Sequence, residues 1–512
     1  MLPLQLQAES HIPLYVQLRD QLRALVHAGE LRPGDRIPAS RELAQHLGVH
    51  RTTVANAYAE LESEGLIEGH VGRGTFIRAN ARPLQIAPPP SLVPGGTIRW
   101  ESLFADEHGD DALDRLIRTT PPSGISFVVA RPPEEHFPLA EMRHCCNVVM
   151  RREGVRILQY GATDGYPPLR KALLELLRSE GMQVREENLL ITDGCQQALD
   201  LICKVFLRPG DAVVLENPTY PGTIAVLASA RARCLGVPVR TETGPGATPG
   251  LDLDALEQTL AANRVKLMFL MPDFHNPTGL SMTLEARRKL LEIASKHQVP
   301  IIEDHIYARL LARGDRLPSL KQMDRANVVV QTDSFSKVAF PGLRVGWVVA
   351  PANVIDRLRV VKQSTDLHTD QLSQAVMAEF TRRGLLLRQV ALVRKLCASR
   401  LAAVEDALVR HMPSDTRWTH PNGGMSIWLE LPPGFDANEL LVRARERGVV
   451  FAPGRYFYVQ SPQPNTLRLG FAELEERQIA RGVAMLGDIL RSELSKRQRG
   501  ARRFEPARVA LV

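Results

Sequence analysis

Apolar residues follow two different periods along the 512 residues of this chain. After Pro13, Leu14, Leu18, Leu22 and Leu25 recur at helical spacing and predict one amphipathic helix ending near Gly29. Ser40 stands where an N-cap belongs, ahead of a short helix that Gly48 ends. The turn 49–51 leads into a second helix over about 52–64, stopped by Gly65, which is helix-turn-helix spacing. Two β-prone runs, 66–68 and 75–77, joined across the glycine-rich tip 69–74, predict a hairpin wing.

Residues 79–122 carry no such period. The five prolines of ANARPLQIAPPPSLVPGG predict an extended spacer between two domains, with 100–118 as a candidate connecting helix. Beyond it, short apolar runs at 189–191, 212–215, 265–270, 299–302, 328–330 and 345–349 alternate with helical stretches. That alternation predicts an α/β domain around a largely parallel, buried sheet. The expected division is therefore a reader over 1–80, a linker over 81–122, an α/β domain over 123–490 and a basic tail over 491–512.

Composition sharpens this in three places. No apolar run reaches bilayer-spanning length and the first residues lack the pattern of a signal peptide, so a soluble cytoplasmic protein without membrane contact is expected. The six cysteines form no CxxC pair and no Cys/His ligand spacing, which argues against a disulfide framework and against a metal site. The net charge of +7 invites a nucleic-acid reading, yet residues 1–82 hold nine arginines, no lysine and nine acidic residues. From Arg491 onward, seven basic residues face two acidic ones. Most of the excess thus belongs to a tail expected to fray into solvent.

A DNA reader needs a polar leading end on its second helix for the major groove, with cations beside it for phosphates. Arg51, Thr52, Thr53 and Asn56 answer the first need, and Arg41 and the wing residue Arg73 the second. Gly72 and Gly74 would let the wing backbone approach DNA closely. The strings PLYxQL, GxLxPGDxxPxSRxLAxxLGVxRTTVxxAYxxLxxEGLI and GxGTF resemble the winged helix-turn-helix domain of GntR-type regulators. The resemblance adds the tip, Gly72, Arg73, Gly74 and Thr75, to the DNA contacts.

Residues of chemical interest in the second domain fall after the apolar runs, where α/β sheets bind ligands. Lys337, in SFSKVAFPGLRVGW, offers an amine for condensation with an aldehyde cofactor, and pyridoxal 5'-phosphate is the usual one. Asp304 is placed to pair with its pyridine nitrogen, and Tyr307 and Asn276 with its ring oxygen. Gly194, Cys195 and Gln196 open a helix whose free N–H groups favour a phosphate, with Ser334 and Arg344 completing the cradle. Tyr220 presents a flat face to the ring.

Taken in order, YGATDGYPPLR, TDGCQQAL, NPTYPG, HNPTG, EDHIY, SFSK, PGLRVGW, GGMSIW and LRLGFA resemble a fold-type I aminotransferase. That resemblance implies a smaller C-terminal α/β subdomain and assigns Lys337, Asp304 and the other residues above to the cofactor. It also implies Arg468 on a substrate α-carboxylate and Tyr160 on the cofactor phosphate of the partner in a homodimer. Where relatives carry a glycine near the substrate carboxylate, VARPPEEHFP places Ala130. The fusion resembles the MocR subfamily, which implies a pyridoxal phosphate-dependent regulator whose operator binding responds to cofactor or to an amino-compound effector. The alternative is a working aminotransferase using a 2-oxo acid acceptor.

Overall fold

The computed structural model describes residues 3, 4, 6, 13–27, 30–64, 66–70, 74–78, 124–241 and 249–503. The chain divides into two compact units, 1–106 and 107–512. The expected linker 81–122, the candidate helix 100–118, the stop signals Gly29 and Gly65, and the wing residues Gly72 and Arg73 lie outside the described residues.

In the first unit, α1 (Leu14–His27) buries Leu18, Leu22 and Val26 against Val54, Ala57 and Leu61 of α3 (Arg51–Ser63). Between them, α2 (Ser40–Leu47) begins one residue earlier than expected. Ala39 is its N-cap and Ser40 its first helical residue, with no side chain capping the start. Gly48 closes it in the left-handed conformation, φ 66°, as the glycine signal requires. The strands β1 (Arg36–Ile37), β2 (Ile67–His70) and β3 (Gly74–Ile77) form an antiparallel sheet in the order β1-β3-β2. The two residues of β1 are too few to carry a period, so the pattern showed only a hairpin.

The first described strand of the second unit is β4 (Ile125–Ser126). Its main sheet contains β5 (Leu189–Thr192), β6 (Ala212–Asn217), β7 (Arg233–Arg240), β8 (Gly250–Leu251), β9 (Val265–Leu270), β10 (Ile301–Asp304), β11 (Val329–Ser334) and β12 (Gly346–Val349). The order is β5-β12-β11-β10-β9-β6-β7-β8. From β11 to β7 the strands run parallel; β12 runs antiparallel between β11 and β5, and β8 is an antiparallel edge. A strand buried on both faces has the same composition in either direction, which is why β12 read like its neighbours. The strand β7 escaped notice because Gly236 and Pro238 interrupt it.

A smaller antiparallel sheet, order β13-β14-β17-β16, follows: β13 (Arg417–Trp418), β14 (Ser426–Glu430), β16 (Ala452–Pro453) and β17 (Thr466–Gly470). The strand β15 (Val449–Val450) pairs in parallel with β4. Helices Leu385–His411 and Glu476–Arg503 pack on each other beside this sheet. The latter corrects the expectation of a tail fraying from Arg491 for residues 491–503, and the rest of that tail lies outside the described residues. Leu490 and Glu493 are buried, and the Arg497 guanidinium lies 4.1 Å from the Phe435 ring centroid and donates to the Gly434 carbonyl at 2.6 Å. Basic residues there hold the helix down. Among the described residues no helix is long and apolar enough to cross a membrane.

Candidate functional site

Strands β5, β6, β10 and β11 point the same way and end at one edge of the sheet, where the antiparallel β12 begins. That edge gathers Asp304 at the end of β10, Ser334 at the end of β11, Gly194 after β5 and Arg344 before β12. A cavity of about 300 Å³ opens there. Cys195, Gln196, Tyr220, Asn276, Asp304 and Tyr307 line one part of it; Ser334, Lys337, Arg344, Arg468 and Ala130 line the rest.

Lys337 closes a short 3-10 turn, Phe335–Lys337, that Ser334 caps by accepting the Ser336 N–H at 3.2 Å. Phe335 anchors the turn on buried Trp347, with ring centroids 4.9 Å apart. The amine is thereby aimed at the cavity, where Nζ donates to the Ala130 carbonyl at 2.7 Å and lies 5.6 Å from the Tyr307 ring centroid. Burial pushes the amine down to about 8, the Arg468 charge adding to the shift while Asp304 opposes it.

Asp304 accepts the Ile306 N–H at 3.2 Å. Burial pushes its carboxyl up to about 7 against that hydrogen bond, and the charge of Asp333 pushes the same way. Behind it, Arg309 donates to Asp333 at 2.6 Å and to both oxygens of Glu180 at 2.9 Å, and His305 Nδ1 lies 3.4 Å from Asp333. Burial alone would raise Asp333, but Arg309 and His305 outweigh it and hold the carboxyl below its ordinary value. One carboxylate is thus committed to structure and the other left facing the cavity.

On the far wall, Gly194 has φ 76° and a Cβ there would stand 2.7 Å from Arg344 Nη2. A Cβ on Gly346 would stand 2.7 Å from Gly194 Cα. Only glycines allow this approach, which lets Arg344 donate to the Asp193 carbonyl at 3.0 Å. Tyr220 lies over Gly222, where a Cβ would meet its ring at 2.4 Å. Arg468 is buried, donates to Asn276 Oδ1 at 2.8 Å and to the Val128 carbonyl, and its guanidinium lies 4.9 Å from the Phe457 ring centroid. No described carboxylate pairs with it, and its Nε has no hydrogen-bond partner among the described residues. A buried cation without an acid is a seat for an anion.

Tyr160 is the exception to this gathering. It is 77% exposed, away from the cavity, with its ring 5.8 Å from that of His368. Sequence reasoning missed Val128, Leu199, Met271 and Ile306 in the lining, because apolar lining residues look like core. No group of described residues is suited to a metal ion.

In the first unit, Arg41, Arg51, Thr52 and Asn56 are exposed, while Thr53, Gly74 and Thr75 are half-buried. His50 caps α3, with Nδ1 2.8 Å from the Thr52 hydroxyl. The arginines divide into two sets. Arg19 and Arg23 pair with Asp20, Glu60 and Glu64, whereas Arg41, in the first turn of α2, and Arg51, at the start of α3, meet no described carboxylate.

A three-helix reader with a β-wing and a mainly parallel α/β unit carrying lysine, aspartate and arginine at its strand ends define a DNA-binding protein built on an aminotransferase fold. The chain belongs to the aminotransferase class I and II family, which matches residues 136–486, and residues 14–77 match the bacterial regulatory proteins of the gntR family; this combination is that of the MocR subfamily. It is 31% identical to the HTH-type transcriptional regulator YdfD of Bacillus subtilis, over 95% of this chain and 98% of that one. It is 28% identical to a probable rhizopine catabolism regulatory protein, MocR of Rhizobium meliloti, over 94% of each. Among solved structures, LysN of Thermus thermophilus, an α-aminoadipate aminotransferase complexed with N-(5'-phosphopyridoxyl)-L-leucine, is similar with a TM-score of 0.72. That likeness has 37% identity and covers 78% of this chain and 99% of LysN.

Proposed function

We propose that this protein is a pyridoxal 5'-phosphate-dependent transcriptional regulator in which the cofactor, or an amino compound bound with it, changes operator binding. The observation that carries the reading is one chain holding both a GntR-type reader and a cavity with an amine, a carboxylate and an unpaired arginine. The residues fit the cofactor on their own chemistry. The low-lying Lys337 amine suits condensation with an aldehyde. The Asp304 carboxyl makes no ion pair with a described residue and would gain one from a protonated ring nitrogen. Arg344, Ser334 and the N–H groups of Gly194, Cys195 and Gln196 suit a phosphate. Tyr307 and Asn276 line the cavity where they would meet a ring oxygen, and Tyr220 where it would meet a ring face.

When bound, the cofactor would supply an electron-withdrawing ring for chemistry on an amino compound. Arg468, beside Asn276, would hold the compound's α-carboxylate, and Ala130, which Lys337 touches, would border it. An effector shifts DNA binding only through unequal affinity for two arrangements of the protein. A homodimer is the arrangement supported by the exposed run Val155, Leu158 and Tyr160, with exposed Leu367 near Tyr160. A DNA partner argues for work in the cytoplasm.

The second reading, an active aminotransferase, is favoured by the presence of Lys337, Asp304 and Arg468 together. One experiment separates the two. The holo-protein is titrated with a panel of amino compounds, 2-oxoglutarate and pyruvate present, while absorbance, product and operator affinity are followed. A spectral shift with altered operator affinity and no accumulating product supports the regulator. Sustained product with unchanged affinity supports the enzyme.

A further inference from the structure

A buried polar cluster lies behind the phosphate turn, outside the cavity lining. Lys362, with 0% of its side chain exposed, sits on helix Ala352–Thr365 and pairs with Asp366 at 2.5 Å. Its Nζ also donates to Gln197 Oε1 at 3.0 Å. That same oxygen accepts the Asp193 backbone N–H at 2.9 Å, and Gln197 Nε2 donates to Asp366 Oδ2 at 2.6 Å. On the other side, the Asp193 carbonyl accepts from Arg344. Both backbone polar groups of Asp193 are therefore held, just before the N–H groups of helix Gly194–Phe206 that face the cavity.

We propose that Lys362 and Asp366 are positioning residues for the phosphate turn, acting through the amide of Gln197. An amide has one accepting and one donating end. Lys362 can only donate, so it claims the oxygen; Asp366 can only accept while ionised, so it claims the NH₂ group. A reversed amide would set its NH₂ against two donors, Lys362 Nζ and the Asp193 N–H. The charged pair thus selects the rotamer that ties Asp193 down. Its charges cancel, so it orients the turn without adding attraction for an anion. A plain i,i+4 staple at the end of a helix would need neither Gln197 nor Asp193.

This rests on the cofactor reading above, and pyridoxal, which lacks the phosphate, separates the two. Apo-protein is titrated with pyridoxal 5'-phosphate and with pyridoxal, following the absorbance of the lysine-linked aldehyde. K362M and Q197L are expected to weaken pyridoxal phosphate at least tenfold and pyridoxal less than twofold, while K362R, which keeps a donor, stays near the parent. If K362M does not fold by circular dichroism, K362M/D366L removes the pair as a unit and carries the same expectation. Equal losses for both aldehydes, or an unchanged affinity for pyridoxal phosphate, overturn the positioning role. A parent protein showing no band with either aldehyde overturns the cofactor reading and this proposal with it.

Discussion

The amine of Lys337 donates to the carbonyl oxygen of Ala130 at 2.7 Å, across a separation of 207 residues in the chain. The reactive side chain is therefore pre-aimed and tied to the loop bordering the amino-compound seat, and attaching a cofactor must release that tie. Burial brings the amine to about 8, so about a tenth of it is free base at pH 7, against roughly 0.03% for an ordinary lysine. The rate of cofactor attachment should rise about tenfold per pH unit from 6 and level off above 8. Absorbance stopped-flow reads this; a rate still climbing at pH 10 would mean an unshifted amine. K337A should abolish the band and leave the circular dichroism spectrum unchanged.

Asp304 works in the opposite sense in the apo-protein. Its folded-state carboxyl at about 7 lies above its ordinary value, so the folded state binds more protons between roughly pH 4 and 7, and stability falls as pH rises through that window. The penalty is complete above pH 7. D304N should then stabilise the apo-protein at pH 8 by about 2–4 kcal/mol and leave it unchanged near pH 4, within the scale of a fully buried carboxylate. Urea melts at the two pH values test it. In the holo-protein the sign should reverse, because the variant loses the charge that faces the ring nitrogen.

The sequence and structure agree best where chemistry forces a residue type. A lysine after a strand, an aspartate ending VPIIED and the glycine at 194 are read directly, since a close approach between Arg344 and Gly194 tolerates no side chain. Direction and partnership were not legible. Nothing in the composition of β12 says that it runs antiparallel, and its reversal is what brings Arg344 to the same edge as Asp304. Lys362 stands in no motif of the sequence, and only folding places Gln197 and Asp366 against it. The first part of the basic tail, to Arg503, is helical instead of frayed, because Phe435, distant in sequence, supplies a face for Arg497.

Arg468 should govern the class of amino compound recognised. Its guanidinium is buried, keeps Asn276 as a neutral partner and has an Nε without a described partner. R468M should weaken amino compounds carrying an α-carboxylate by about 100-fold, the scale of a lost charge-assisted pair. Simple amines lacking the carboxylate should lose less than threefold. Spectral titration of holo-protein with each class decides it, and equal losses would move the carboxylate seat elsewhere.

The reader is neutral in sum, so its affinity for DNA must come from which arginines are free. Arg19 and Arg23 are spent on Glu60, Glu64 and Asp20, whereas Arg41 and Arg51 stand exposed at the helix-turn-helix without a described acid partner. A phosphate contact releases counterions and leaves sequence preference intact. R41A should weaken binding to operator and random duplex alike and reduce the slope of log K against log salt by about 1. Asn56, exposed on α3, should behave differently: N56A should leave the slope alone and narrow the ratio between operator and random DNA by about tenfold, the scale of one lost base contact. Fluorescence anisotropy on a selected operator and a scrambled duplex, from about 50 to 200 mM salt, measures both quantities. An unaltered slope for R41A would remove that residue from the phosphate contacts, and a changed slope for N56A would make it a backbone contact instead of a base reader.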